Sequence, residues 1–138
     1  MFVEVIHLGN NDKNFSAINN AFSGLCDKES FGIKGKHFIG QELGLTGCEA
    51  SINKLSAGTS FPFIHAHKMN EELYIIISGN GVFYVDGEEF PIQEGSLIRV
   101  SPSGERTIKA GENDLFYICV QVQNNSQTQS TKNDGFIV

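Results

Sequence analysis

The sequence predicts an all-β domain, and three features carry that reading. From Lys36 onward, short runs rich in β-branched and aromatic residues recur at 36–43, 48–55, 61–67, 72–78, 82–85, 88–92, 96–100, 106–110 and 115–122. Glycine-bearing separators stand between them: Gly44, Gly58, Gly79-Asn80-Gly81, Asp86-Gly87, Glu94-Gly95, Pro102-Ser103-Gly104 and Gly111. Fifteen glycines in 138 residues supply the tight turns of such a chain. Short strands at this spacing indicate a sandwich or a barrel. Asp86-Gly87 is the strongest hairpin signal, because both central positions of a type I′ turn take φ > 0.

The two ends read differently. Residues 2–8 alternate loosely and stop at Gly9-Asn10-Asn11-Asp12, a strand followed by a loop. Between 14 and 30 the pattern weakens; Asn14 is a candidate cap for a short helix carrying Ile18, Ala21 and Phe22, which Gly24 ends. The run 124–132 is polar and low in complexity, the composition of a flexible tail. Phe136-Ile137-Val138 is too apolar for water and is expected to dock on the domain or on a neighbouring subunit. The expected organisation is one domain: 1–35 as an N-terminal strand and loop or short helix packing on the barrel, 36–122 as the barrel, and 123–138 as a polar C-terminal tail.

Composition narrows the function. The chain is 40% hydrophobic and 19% charged, which is globular rather than disordered. Its net charge is −6, and no lysine- and arginine-rich stripe interleaved with aromatics appears. Nucleic acid and anionic membrane surfaces are therefore not expected partners. Cys26, Cys48 and Cys119 form no CxxC pair, and Met1-Phe2-Val3-Glu4-Val5 lacks the basic start and long apolar run of a leader. A reducing cytoplasm is the expected location, with the thiols as small core or boundary residues.

One constellation carries chemistry. His65 and His67 lie two apart in a predicted strand, so their side chains leave the same face, and Phe61 and Phe63 share that parity. Glu71-Glu72 open the next run. If the strands at 61–67 and 72–78 are neighbours, Glu72 folds back beside the two histidines. Two neutral imidazoles and a carboxylate then make a facial set for a divalent metal, with open positions for water or substrate. Iron(II), manganese, zinc and nickel all suit that set. The plain alternative is a solvated polar strand face followed by a charged edge.

The segment from Gly58 through His65, His67 and Glu72 to Gly79 resembles the first motif of the cupins: a glycine, HxH, a glutamate and a second glycine. Here the first gap is one residue longer than the usual pattern. Glu72, with six residues between it and Gly79, takes the glutamate place, and Glu71 is the second choice. Fifteen residues separate Gly79 from Gly95, and Gly95, Pro102 and Gly104 resemble the second motif. The resemblance covers roughly residues 45–122. It implies a double-stranded β-helix (a jelly-roll barrel) with a metal inside, held by His65, His67 and Glu72; by parity with these ligands Phe63, Tyr74 and Ile76 are candidates to line the pocket, with core packing the plain alternative for Tyr74 and Ile76, and the motif count adds Thr107. The family's fourth ligand, a histidine, falls on Thr107, and its later asparagine falls on Gly111. By that count Thr107 points in and Arg106 points out, and the site holds three ligands with lowered metal affinity and partial or no occupancy. Alternatively Arg106 or Arg99 points into the barrel, which favours an anionic ligand.

Two functions follow as expectations. One is a metal-dependent enzyme acting on a small organic molecule by oxygenation, isomerisation or lyase chemistry; the other is a non-catalytic small-molecule binding or sensing domain with a degenerate metal site. Homodimerisation is expected by analogy with small cupins. His7 and His37 are isolated and read as surface or structural residues. In 115–122, either Tyr117, Cys119 and Gln121 or the alternate set faces the pocket.

Overall fold

The computed structural model describes residues 29, 30, 32–129 and 131–138. The strand expected at 2–8, the helix expected after Asn14, His7 and Cys26 lie outside the described residues. In chain order the elements are β1 (Glu29–Ser30), β2 (Ile33–Lys34), β3 (Lys36–Phe38), α1 (Gly40–Leu43), β4 (Glu49–Leu55) and β5 (Asn70–Ser78). There follow β6 (Asn80–Val85), β7 (Glu88–Gln93), β8 (Leu97–Val100), β9 (Arg106–Ala110), β10 (Leu115–Gln123) and α2 (Thr131–Asp134). No described helix is long and apolar enough to cross a membrane.

The described strands form antiparallel sheets: a small β1-β2 ribbon, a five-stranded sheet ordered β3-β4-β10-β5-β8, and a three-stranded sheet ordered β7-β6-β9. The non-sequential order in the larger sheet is the wrapping of a jelly roll, in which the chain crosses repeatedly between layers. Alternation explains which side chains meet. In β9, Arg106, Ile108 and Ala110 are buried while Thr107 and Lys109 are not; in β10, Leu115, Tyr117 and Cys119 are buried. These inward sets join Phe83, Ile76, Ile92 and Val100 in one core between the sheets. Each large aliphatic or aromatic side chain so buried contributes about 1.5–3 kcal/mol.

Turns follow the glycine signals. Asp86 (φ 51°) and Gly87 (φ 85°) both take positive φ between β6 and β7, with Val85 paired to Glu88, which is the expected two-residue hairpin. Gly79 joins β5 to β6 at φ 89°, and a Cβ there would lie 2.3 Å from the Asp114 carbonyl oxygen. Only glycine fits both requirements.

Four expectations need correction. The run 36–43 is a strand only to Phe38; Gly40–Leu43 is a helical turn that Gly44 ends at φ 65°. Gly79 alone separates β5 from β6, because Asn80 and Gly81 pair with Gln93 and Ile92. The segment 61–67 is not a regular strand. It lies along β9 through bridges at Ser60–Lys109 and His65–Arg106, whose registers differ by two residues, so the ladder between them is broken. At the C-terminus, Thr131–Asp134 is a helical turn, and Phe136, Ile137 and Val138 are exposed rather than docked on the domain.

Candidate metal centre

Two separate parts of the fold supply the expected ligands. The histidines come from the segment along β9. His65 exchanges backbone hydrogen bonds with Arg106 (N–H to O 3.1 Å, and 2.9 Å in return), and the His67 N–H donates to the Pro102 carbonyl at 2.8 Å. Glu72 comes from β5, whose partners are β10 and β8. The expectation that 61–67 and 72–78 are neighbouring strands is therefore corrected: the residues meet across the barrel interior, not side by side in one sheet. His65 Nε2 lies 3.5 Å and His67 Nε2 3.4 Å from Glu72 Oε1.

These separations fit a shared ion. Donor atoms each about 2.1 Å from one tetrahedral cation stand about 3.4 Å apart. One ligand atom from each of His65, His67 and Glu72 falls within 4.8 Å of the other two. His67 Nε2 is buried and makes no well-formed hydrogen bond among the described residues, so apart from the Glu72 carboxylate at 3.4 Å it is left to a ligand. The site fits a divalent metal by donor type, spacing and this unsatisfied nitrogen.

The electrostatics centre on Glu72, which is 4% exposed. Burial opposes its ionisation, but hydrogen bonds from His65 and Cys119 and the charges of His67 and Arg106 outweigh it and hold the carboxyl at about 2. The Tyr74 hydroxyl donates to Oε1 at 3.0 Å, and the Cys119 thiol donates to Oε2 at 3.0 Å. Burial, then the Glu72 charge, raises the Cys119 pKa, so this thiol stays protonated as a donor. Burial lowers the His67 pKa, and Arg106 and His65 add to the effect against the pull of Glu72. Neutral imidazole and ionised carboxylate are the forms that ligate metal.

Arg106 overturns one expectation. It points inward and is fully buried, with Nε 3.3 Å from Glu72 Oε1. Its guanidinium donates to the carbonyls of Ser101 (3.1 Å), Pro102 (3.4 Å) and His65 (3.5 Å). Thr107 faces the other way and does not line the cavity. The reason is register: Phe83, with no exposed surface, pairs with Ile108, and Val85 pairs with Arg106, so the inward set is 106, 108 and 110. Lys109 carried this signal in the sequence, since it shares Thr107's parity and lysine is rarely buried. Arg99 stays at the surface, 2.6 Å from Glu71, so Glu71 is engaged outside the site.

Beside the cluster lies a cavity of about 140 Å³, whose lining includes Phe61, Phe63, His65, His67, Glu72 and Tyr74. Tyr117, Cys119 and Gln121 are the β10 set that faces it, and they pair in register with Ile76, Tyr74 and Glu72. Ile76 does not line it. The Tyr74 ring packs on Phe83 (4.9 Å) and Tyr117 (5.9 Å), which closes the floor and leaves Ile76, 2% exposed, in the core. Phe63 is half-exposed at the edge, 4.9 Å from Phe61 and 5.9 Å from His65. His37 is structural, paired with Glu42 at 2.7 Å. Lys36, which also lines the cavity, was not legible as a site residue, because one lysine at the start of a strand run carries no pattern.

Comparison with known proteins agrees with this geometry. The chain is similar to a cupin protein from Bacteroides fragilis, with 39% identity and a TM-score of 0.73 over 80% of this chain and 95% of that one. It is also similar to a predicted oxalate decarboxylase from Thermotoga maritima, at 29% identity and a TM-score of 0.51 over 54% of this chain and 64% of that one. The plu4264 protein from Photorhabdus luminescens shares 19% identity at a TM-score of 0.61 over 72% of this chain and 82% of that one, a likeness of fold alone. Comparison with curated proteins finds no match. The model of the cupin domain matches residues 52–120, which contain all three candidate ligands and both glycine motifs. With that match over half the chain, the jelly-roll topology and the closely similar Bacteroides structure, the chain belongs to the cupin family.

Proposed function

We propose that this cupin binds a divalent metal ion (iron, manganese, zinc or nickel) through His65, His67 and Glu72, and a small organic molecule in the adjoining cavity. The observation that carries the reading is the convergence of two imidazole nitrogens on Glu72 Oε1 at 3.5 and 3.4 Å, with His67 Nε2 otherwise unpartnered. A metal held there supplies Lewis acidity next to the cavity. The chain's own residues do the positioning. Tyr74 and Cys119 hold the carboxylate, the Pro102 carbonyl fixes the backbone of His67, and Phe61 and Phe63 limit water around the imidazoles. Elemental analysis of protein purified without an affinity metal tests the reading. Near-stoichiometric metal in wild type and its loss in His67→Ala are expected; metal content unchanged by that substitution rejects it.

Arg106 favours a second reading. A guanidinium 3.3 Å from the ligating carboxylate opposes a further cation, and β9 offers no fourth ligand. On this reading the protein is a non-catalytic small-molecule binding or sensing domain. Ligand-induced thermal stabilisation that persists after chelation supports it, and turnover that requires the metal rejects it.

A further inference from the structure

The inner face of the larger sheet is polar where a core is normally apolar. Register aligns Lys36 with Asn53 and Asn53 with Tyr117, then Phe38 with Ser51 and Ser51 with Cys119. Ser51 and Asn53 are each only 2% exposed. Asn53 Nδ2 donates to the Ser51 carbonyl (3.2 Å), the Ser51 Oγ (3.0 Å) and the Tyr117 carbonyl (3.4 Å). On this frame the Lys36 ammonium donates to Ser51 Oγ at 3.0 Å and to Asn53 Oδ1 at 3.1 Å. It lies 4.9 Å from the Phe38 ring centre and 5.9 Å from that of Phe61. The lysine thus lines the same cavity as His65, His67 and Glu72, reaching it from a strand three positions away from β5 in the sheet.

Its charge makes no contact ion pair, and the Glu72 and Glu49 carboxylates act on it only from a distance. Among the described residues no carboxylate comes within 4.0 Å of Lys36 Nζ. An ammonium has three donors, and the two engaged here meet neutral oxygens. Holding an ammonium without a contact ion pair in a partly buried wall costs free energy that the Phe38 and Phe61 ring faces offset only in part, and an arriving anion offsets more of it. Burial lowers the Lys36 pKa in the same sense. Arg106, the other inward cation, is already directed at three carbonyls and Glu72.

We propose that Lys36 is the recognition residue for the anionic group of a small organic acid bound in this cavity. Size sets the class: the cavity measures about 140 Å³, and engineered cavities of about 150 Å³ accept a benzene-sized guest. The part of the ligand held inside is therefore compact, with its carboxylate at the Lys36 ammonium and its apolar body on Phe61, Phe63 and Ile108, and the cavity opens to solvent at Phe63. This rests on the cavity being the ligand site and does not require the metal.

Isobutyrate and its neutral isostere isobutyramide are the probes, titrated by NMR into the full chain. Wild type is expected to prefer the carboxylate by about tenfold or more. Lys36→Met abolishes the preference without weakening the amide, Lys36→Arg keeps it, and metal content is unchanged in both. Equal affinity for the two probes, or no saturable binding of isobutyrate, overturns the proposal; neither result depends on a variant folding. A preference that survives Lys36→Met overturns it as well. Loss of the preference in His67→Ala instead assigns the carboxylate to the metal and overturns the role of Lys36. A Lys36-dependent preference in protein that carries no metal supports this proposal and rejects the metal reading alone.

Discussion

At the scale of single residues, Glu72 is the group on which the site depends. Its carboxyl is held at about 2 in the folded protein, against 4.5 for an ordinary glutamate. Between those values the unfolded chain binds the extra proton, so stability present above pH 4.5 is lost as the pH falls towards 2. The size of that loss is about 3 kcal/mol. His67, whose pKa is lowered from 6.5, adds a loss of the same sign that begins as the pH falls below 6.5. Urea unfolding of the metal-free protein across this range should show both falls, and Glu72→Gln should remove the lower one. Equal pH dependence in the two proteins would rule out the assignment. Arg106→Leu removes the buried cation beside Glu72, whose carboxylate keeps its Tyr74 and Cys119 donors while the three carbonyls keep backbone N–H partners, so a destabilisation of about 1–3 kcal/mol is expected from the same denaturant curves. The thiols differ in a way that mass spectrometry of alkylated peptides resolves. Cys48, partly exposed, should label in the native protein, and Cys119, buried and protonated, only after unfolding.

At the scale of elements, one strand connection holds the site and another constrains the fold. The turn between β8 and β9 supplies the Pro102 carbonyl to the His67 N–H and the Ser101 carbonyl to Arg106, so it fixes a ligand and its charged neighbour together. The β5–β6 connection is the other. A side chain at Gly79 meets both a positive φ of 89° and the Asp114 carbonyl oxygen at 2.3 Å. Gly79→Ala should therefore destabilise the domain by about 1–3 kcal/mol. Thermal melts check this, with Gly87→Ala as the comparison, because nothing lies within 4 Å of a Cβ there and only the backbone term applies. Similar losses at both positions would show that the contact with Asp114 is relieved by a small shift.

At the scale of the whole molecule, the candidate ligands bridge two layers: His65 and His67 from the segment along β9 and Glu72 from the larger sheet. A metal bound by all three holds the layers together in the folded state only, and so stabilises by mass action. With free metal at 100 times its Kd the gain is about 2.7 kcal/mol. Chelation should lower the Tm of wild type accordingly and leave that of His67→Ala unchanged. An equal effect of chelator on both proteins places the metal elsewhere.

The sequence by itself determined the all-β class, because glycine turns and strand runs are local signals, and the Asp86-Gly87 hairpin is their clearest case. It also determined the identity of the three ligand candidates, since spacing in HxH fixes a shared side and the motif singles out Glu72. Only the tertiary structure decided how they meet, because 61–67 runs along β9 in a broken register and the histidines reach Glu72 of β5 across the barrel. It likewise decided that Arg106 rather than Thr107 faces inward. That depends on the β6–β9 register, which pairs Phe83 with Ile108, and a motif count that slips by one residue reverses every side chain in a strand. Lys36 belongs wholly to the tertiary level. Its two partners, Ser51 and Asn53, lie 15 and 17 residues away in sequence, and no local pattern reports a contact made between strands.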